Sequence, residues 1–332
     1  MKIVYVDYQY HYGKPELGNN DIGLNGFIHS FETLGHQVVP FFYDELTDNV
    51  ERLNSDIITF CREQQPDLVF FLLSHDLFKV ETIQKLTNEF TTINFFGDDH
   101  WRFEAFTKKL APSFTYCVTT DHLALDKYHA IGVKNVILSQ WAALEPQENN
   151  ELVDGSGYKY DVTFVGGKNP YRNWFIKYLE KKGVKVDCFG VGWPNGPVSL
   201  EEMQSIFSSS KINLNISNSI SYDIRFLMAD PIGFARQLRS TKSASQIKAR
   251  NYEIPAFNGF QLTDYVPFIE ESYHIGHDLI CYSNIEEAID MVVYYLKNDD
   301  LREQIKSRAV ENARNNHFYI HRIEKILSSL NL

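Results

Sequence analysis

Residues 160–175 read YDVTFVGGKNPYRNWF. An apolar run stops at Gly166-Gly167, and a helix is expected from about Pro170 or Tyr171, since proline's fixed φ suits a first helical turn. A strand that runs into glycines and then a helix is one β–α unit, so the fold turns on how often that unit recurs. Downstream it recurs as VKVDCFG, a helix opened by Ser199 with Glu202 three residues on (a capping box), KINLNIS, a helix towards Arg250, FQLT, DLICYS, and helices to the end. Upstream the runs are KIVYV, HQVVPFF, DLVFFLL, TINFF, TYCVTT and NVILS, separated by stretches with apolar residues at three- and four-residue spacing. The runs are almost continuously apolar, as strands are when helices cover both sheet faces. The alternation therefore predicts an α/β fold with parallel, doubly wound sheets.

Between the two series lies ALEPQENNELVDGSGYKY (143–160), polar and without apolar period, which reads as a linker. A chain of 332 residues also exceeds what one core of about 250–300 residues usually holds. The division expected is an amino-terminal domain over 1–145, a linker over 146–159, a second domain over 160–315 and a closing helix over 316–332.

Composition narrows the class. Hydrophobic residues make up 44% and charged ones 23%, which is ordinary for a globular protein. A net charge of −11 disfavours broad binding to nucleic acid or an anionic membrane, although a local basic patch can still take phosphate. Cys61, Cys117, Cys188 and Cys281 are scattered and form no CxxC or Cys/His cluster, so buried thiols are expected rather than disulfides or zinc. MKIVYVDY lacks a basic leader, and no run nears the roughly eighteen apolar residues of a membrane span. The expectation is a cytoplasmic protein without a membrane span.

The strongest electrostatic signal is local. Six cations (Arg225, Arg236, Arg239, Lys242, Lys248, Arg250) stand against two acids (Asp223, Asp230) between Ser221 and Arg250. Then comes KARNYEIPAFNGFQLTD (248–264), which sets Lys248, Arg250 and Glu253 ahead of a Pro-containing turn and a strand. Arginine forks onto phosphate oxygens and lysine adds a point charge, so the cluster reads as a holder of a nucleotide diphosphate or, alternatively, as a solvated helix face. Gly166 and Gly167 would let backbone approach an anion at a helix start or would serve packing alone, with Arg172 facing the same anion or solvent. Asn215, Ser217 and Asn218 follow the KINLNIS strand at its carboxyl end, as ligand contacts or as turn residues.

In the first half, polar residues close three apolar strands. Asp98, Asp99 and His100 follow the fourth strand; the aspartates would act as general base or orient sugar hydroxyls, or cap the helix containing Trp101. His75 and Asp76 follow the third strand. The loop DYQYHYGKPELGNND (7–21) carries the aromatic cluster Tyr8, Tyr10, His11 and Tyr12, suited to stacking on a sugar or to sealing the loop. Tyr10, Tyr12, Asn19 and His75 are the candidate acceptor contacts. The Asp-Asp pair has no identifiable third ligand, so no metal site is expected.

DVTFVGG…YRNWF, FGVGW, EEMQSIFSSSKINLNIS, KARNYEIPAFNGFQLTDY, HIGHDLICYSNIEEAI and YYLKNDDLREQI together resemble the CgeB-like branch of the group 1 glycosyltransferases, over about residues 160 to 322. FFGDDHWRFEAF and FTYCVTTDHLALDKYHAIG resemble it more loosely. The resemblance implies a GT-B fold: two Rossmann-like domains facing across a cleft, a nucleotide-sugar in the second, an acceptor in the first, and the final helix packed back on the first. It implies that Arg250 and Lys248 neutralise the diphosphate, that Glu253 takes the ribose hydroxyls and that Asn258-Gly259 passes close to the donor. It also puts Gly166 and Gly167 near the diphosphate or base, and Asp98 and Asp99 on the cleft wall as catalytic candidates with Arg250 and Lys248. Many retaining relatives carry a glutamate eight residues before the one matching Glu253; here that position is Ser245, so stereochemistry does not carry over.

The expected function is metal-independent transfer of a hexose-type sugar from a nucleotide-diphosphate donor, a UDP-sugar above others, with no cofactor beyond that co-substrate. The acceptor is open among a glycan, a protein, a small metabolite and a modified nucleobase. The alternatives are a two-domain module that binds a small ligand without turnover, and a GT-B sugar-nucleotide epimerase.

Overall fold

The computed structural model describes residues 1–146, 157–217, 220–240, 242 and 245–330. Most of the expected linker (147–156) and Asn218 lie outside them. The chain divides into two units, Met1–Leu144 with Tyr319–Leu332, and Glu145–Phe318.

All six apolar runs of the first half are strands: β1 (Lys2–Asp7), β2 (Gln37–Phe42), β3 (Leu68–Phe71), β4 (Thr91–Phe96), β5 (Tyr116–Thr119) and β6 (Val136–Leu138). They pair in parallel in the order β2-β1-β3-β4-β5-β6. Val4, Val6, Val69 and Phe71 point into one core layer, and Ile3, Tyr5, Leu68 and Phe70 are as fully buried on the other side. Double-sided burial is why these strands show no polar alternation. Pro40 is tolerated in β2 because β2 is an edge strand, where a missing N–H leaves no ladder partner unpaired.

Helices cover the sheet where capping and periodicity agree. Val50–Gln64 starts at Asn49, whose side chain accepts the Arg52 N–H, and buries Leu53, Ile57 and Cys61. The last helix, Tyr319–Ser328, buries Tyr319, Ile323 and Ile326. Its Tyr319 ring lies 5.1 Å from that of Phe27, and Arg322 Nε donates to the Trp141 carbonyl at 3.3 Å.

The second unit repeats the plan with β7 (Tyr160–Val165), β8 (Asp187–Phe189), β9 (Ser210–Asn215), β10 (Gln261–Asp264) and β11 (Ile280–Tyr282), parallel in the order β11-β10-β9-β7-β8. In each sheet the first strand lies between the second and the third. Successive crossovers therefore leave in opposite directions at β1/β3 and at β7/β9, and doubly wound sheets open a ligand crevice at the carboxyl ends of such a pair.

The helix Pro170–Lys181 is capped by Asn169, and Leu200–Ser208 by the reciprocal Ser199–Glu202 box that the spacing predicts. One expectation is corrected. Among the described residues no helix runs towards Arg250; instead Ile224–Ala229 and Pro231–Gln237 are short helices opened by the side chains of Asp223 and Asp230, and a new helix, Arg250–Ala256, begins at Arg250. The proline expected in a turn, Pro255, sits within that helix. It cannot donate to the Asn251 carbonyl four residues back, and the Tyr273 hydroxyl donates to it instead at 2.9 Å.

Candidate functional site

At the β7/β9 switch of the second sheet, Gly166 and Gly167 follow β7, while Ile216 and Ser217 follow β9. Arg172 ties the two loops together. Its Nε and Nη2 donate to the Ile216 carbonyl at 3.0 and 2.7 Å, its Nη1 donates to the Gly167 carbonyl at 2.9 Å, and the guanidinium lies over the Phe164 ring. Burial lowers its pKa, the Asp264 carboxylate opposes that, and the like charge of Arg250 adds to it. The expectation that Arg172 faces either an anion or solvent is thus corrected: most of its donors are spent on main-chain carbonyls, and it positions the loops. Gly166 is held from behind, its carbonyl accepting from Trp193 Nε1 at 2.9 Å. Gly190 packs so closely that a Cβ there would sit 2.4 Å from the Gly166 oxygen, at φ +121°. Only glycine fits.

Beside this lies a buried polar network. Asn215 Nδ2 donates to Ser217 Oγ (3.3 Å) and Thr263 Oγ1 (3.2 Å), and the Asn215 carbonyl accepts from the Tyr282 hydroxyl (2.9 Å). The Ser217 N–H donates to Asp264 Oδ1 at 2.8 Å. Asn251 Nδ2 reaches Thr263 Oγ1 at 3.3 Å, and Asn251 Oδ1 accepts the Lys248 N–H at 3.0 Å. Asn215 and Ser217 thus shape this edge, with their side chains buried at 4% and 2% exposure. The network also joins the start of the helix Arg250–Ala256 to the carboxyl ends of β9 and β10.

That helix start carries Arg250 and Glu253. Arg250 Nε lies 3.3 Å from Glu253 Oε2, an ion pair whose geometry falls short of a hydrogen bond. The guanidinium is fixed over the Phe207 ring and against Met203 Sδ at 3.1 Å. Burial raises the Glu253 pKa and Arg250 lowers it. Glu253 Oε2 is buried and accepts no hydrogen bond among the described residues. An unsatisfied buried carboxylate oxygen is costly and is suited to accept from a hydroxyl. Lys248 directs its Nζ to Gln246 Oε1 at 3.4 Å.

Asn258-Gly259 does not belong to this edge. The pair closes the helix Arg250–Ala256, Gly259 N donating to the Ile254 carbonyl at 2.8 Å, and feeds the amino end of β10. Strand rise puts it roughly 15 Å from Asp264. The resemblance-based role for it is corrected on that ground.

The first sheet has a cavity of about 210 Å³ at its own switch point, lined from the ends of β1, β3 and β4. Asp7, the last residue of β1, is 3% exposed and lines it. Its Oδ2 accepts from the Tyr5 hydroxyl (2.8 Å) and Asn20 Nδ2 (2.9 Å), and its Oδ1 from the Tyr8 N–H (2.7 Å). Burial outweighs these bonds and pushes its pKa up to about 7. A Cβ on Gly23 would sit 2.7 Å from Asp7 Oδ2, so glycine lets this carboxylate be covered closely. Asp98, Arg102, Tyr12 and Trp141 complete much of the wall.

The other expected residues separate. Tyr12 lines the cavity, whereas Tyr10 and Asn19 pair through their backbones to close the loop beneath it. His75 is exposed and is not part of the lining, its Nδ1 lying 2.9 Å from Ser74 Oγ and 3.4 Å from the Tyr8 hydroxyl, with its pKa lowered by burial and by the charge of Arg102. Asp99 is a correction. It is 1% exposed and accepts from Thr107 Oγ1 (2.6 Å), Thr119 Oγ1 (2.6 Å) and the Tyr128 hydroxyl (2.7 Å). Burial raises its pKa to about 6 against those three bonds. Asp99 is a structural clamp and, unlike Asp7 and Asp98, does not line the cavity. Asp7 and Asp264 were missed, and one signal finds both: each is an aspartate closing an apolar strand, KIVYVD and QLTD.

Residues 172–328 match the family model described as "Glycosyl transferase-like". No curated protein matches. Over most of its length the chain is similar in fold to solved GT-B structures. Sucrose-phosphate synthase from Thermosynechococcus elongatus matches at TM-score 0.63 and 8% identity, over 98% of both chains. Anabaena HepE, solved with UDP, matches at TM-score 0.61 and 11% identity, over 99% of this chain and 100% of that one. A glycosyltransferase from Rickettsia africae matches at TM-score 0.61 and 10% identity, over 98% and 97%.

Proposed function

We propose that this chain, a glycosyltransferase by its matched domain and its GT-B fold, moves a hexose-type sugar from a nucleotide-diphosphate donor to an acceptor seated in the first unit. One observation carries the donor half of that reading: Arg250 and Glu253 sit together at the carboxyl edge of the second sheet, and Glu253 keeps a buried oxygen that accepts no hydrogen bond among the described residues. Glu253 accepts the ribose hydroxyls, while Arg250 and Lys248 meet the diphosphate. Fixed cations stabilise charge that grows on a leaving group, without a metal ion being required of the site. The UDP held by the Anabaena neighbour makes UDP-sugars the first donors to try.

In the first unit, the apolar, aromatic cavity takes a small ring or the end of a chain, and Asp98 and Asp7 meet its hydroxyl or amino group. A bond forms from that heteroatom to the anomeric carbon while the carbon–oxygen bond to the diphosphate breaks. The nucleotide diphosphate leaves with the electron pair, and the acceptor proton passes to Asp7. A carboxyl that titrates near neutrality suits that task.

Calorimetric titration with UDP, GDP and dTDP and their sugars tests the reading, on the native chain and on Arg250→Glu, with and without chelator. Saturable binding of one nucleotide that survives the chelator and is lost in the variant is expected. If none of the nucleotides binds the native chain, the reading is wrong.

A further inference from the structure

Arg102 lines the cavity of the first unit, and the transfer described above gives it no task. It ends the short helix Asp99–Arg102, and its guanidinium is held against rings, 4.3 Å from the centroid of Phe106 and 5.5 Å from that of Trp101. Stacking of this kind fixes the plane of the group and leaves the N–H fork at its edge. Among the described residues that fork meets no carboxylate and no carbonyl, Asp98 four residues back included. The other arginines of the unit are engaged: Arg52 by Asp56, Arg62 by both oxygens of Glu89, and Arg322 by the Trp141 carbonyl. A ligand that fills a cavity of about 210 Å³ strips water from the groups around it. A neutral ligand would leave the Arg102 charge desolvated without a partner, whereas a carboxylate or phosphate accepts from the fork.

The rest of the wall sets the remainder of the ligand. Phe95, Phe96 and Trp141 offer apolar ring surface. Trp141 is pressed onto Gly97, where a Cβ would sit 2.1 Å from Cζ2, so its ring is fixed in place. Asp7 and Asp98 also line the cavity, and an ionised carboxylate only accepts, so they call for a donor on the ligand. We propose that the acceptor is anionic: a single-ring molecule whose carboxylate or phosphate is taken by Arg102, while the hydroxyl or amino group that receives the sugar faces Asp7 and Asp98. This rests on the reading of the cavity as the acceptor site. Holding the acceptor at two chemically opposite ends fixes which of its groups is presented for transfer. A neutral sugar or alcohol fills the same volume but leaves Arg102 unpaired, so Arg102 selects against it.

Saturation-transfer NMR titrations of the full chain loaded with UDP test this with matched probes: 4-hydroxybenzoate against 4-hydroxybenzamide, glucuronate against glucose, and glucose 6-phosphate against glucose. The native chain should bind an anionic member roughly ten- to a hundred-fold tighter than its neutral partner, the worth of a charge-assisted fork, and less tightly as salt is raised. The pair with the larger ratio tells carboxylate from phosphate. Arg102→Gln should bring the ratio close to one, and Arg102→Lys, which keeps the charge without the fork, should restore part of it; thermal melts check that both variants fold. Trp141→Ala should weaken both members of a pair alike, which places the probes in the cavity. A preference that survives Arg102→Gln overturns the proposal. If neutral members bind as tightly as anionic ones, the proposal fails while the cavity stands as the acceptor site. If no member binds the UDP-loaded chain, the acceptor reading fails with it.

Discussion

Asp7 offers the sharpest test, through Asp7→Asn. In the folded protein the carboxyl titrates at about 7 against a usual 3.8, because burial penalises the charge more than Tyr5, Tyr8 and Asn20 relieve it. That gap corresponds to about 4 kcal/mol between the two protonation states. The folded value lies above the unfolded one, so this stability is fully present below pH 3.8 and is lost as pH rises through about 7. Urea unfolding between pH 4 and pH 8, followed by tryptophan fluorescence and circular dichroism, should therefore show the native chain losing about 4 kcal/mol more than Asp7→Asn over that window. The variant begins lower, because an amide cannot accept from all three donors, and the two curves converge towards alkaline pH. If Asp7 also takes the acceptor proton, transfer by the native enzyme should fall as pH drops through about 7, and the variant should be slower by roughly 10²- to 10⁴-fold. Parallel stability curves for the two chains would refute the burial argument. A native activity profile flat across neutrality would refute the proton-transfer role alone.

Glu253→Gln should weaken UDP binding by roughly 10- to 100-fold in calorimetry, because charge-assisted bonds to the ribose are replaced by neutral ones, while the fold persists. Thr119→Val removes one of the three donors to Asp99 and should cost about 1–3 kcal/mol in urea unfolding, more at pH 8 than at pH 5 because the bond serves the ionised carboxylate. Gly190→Ala drives a Cβ against the Gly166 carbonyl and forces a strained φ, so the thermal midpoint should drop by the equivalent of about 2 kcal/mol or more, with weaker UDP binding. An unchanged melt would contradict the close packing at that loop.

Much of the architecture was legible because it depends on local chemistry. Six apolar runs in the first half and five in the second read as strands, and Ser199 with Glu202 had to open a helix. The helix expected to run towards Arg250 failed for an equally local reason: Asp223 and Asp230 each start a new helix and break the run. Arg250 and Glu253 were identifiable as residue types, but spacing alone does not say that one buried oxygen of Glu253 accepts no hydrogen bond among the described residues.

Asp98 and Asp99 mark the boundary between the two kinds of information. They are adjacent and chemically identical, yet Asp98 lines a cavity while Asp99 is clamped by hydroxyls eight, twenty and twenty-nine residues away along the chain. Arg172 likewise looked like a phosphate ligand until its donors met carbonyls from two different loops. Periodicity, capping and composition act over a few residues, so the chain alone determined its strands, most of its helices and its parallel class. Which polar group keeps a free valence depends on neighbours brought together by crossovers dozens of residues long, and only the folded structure decided that.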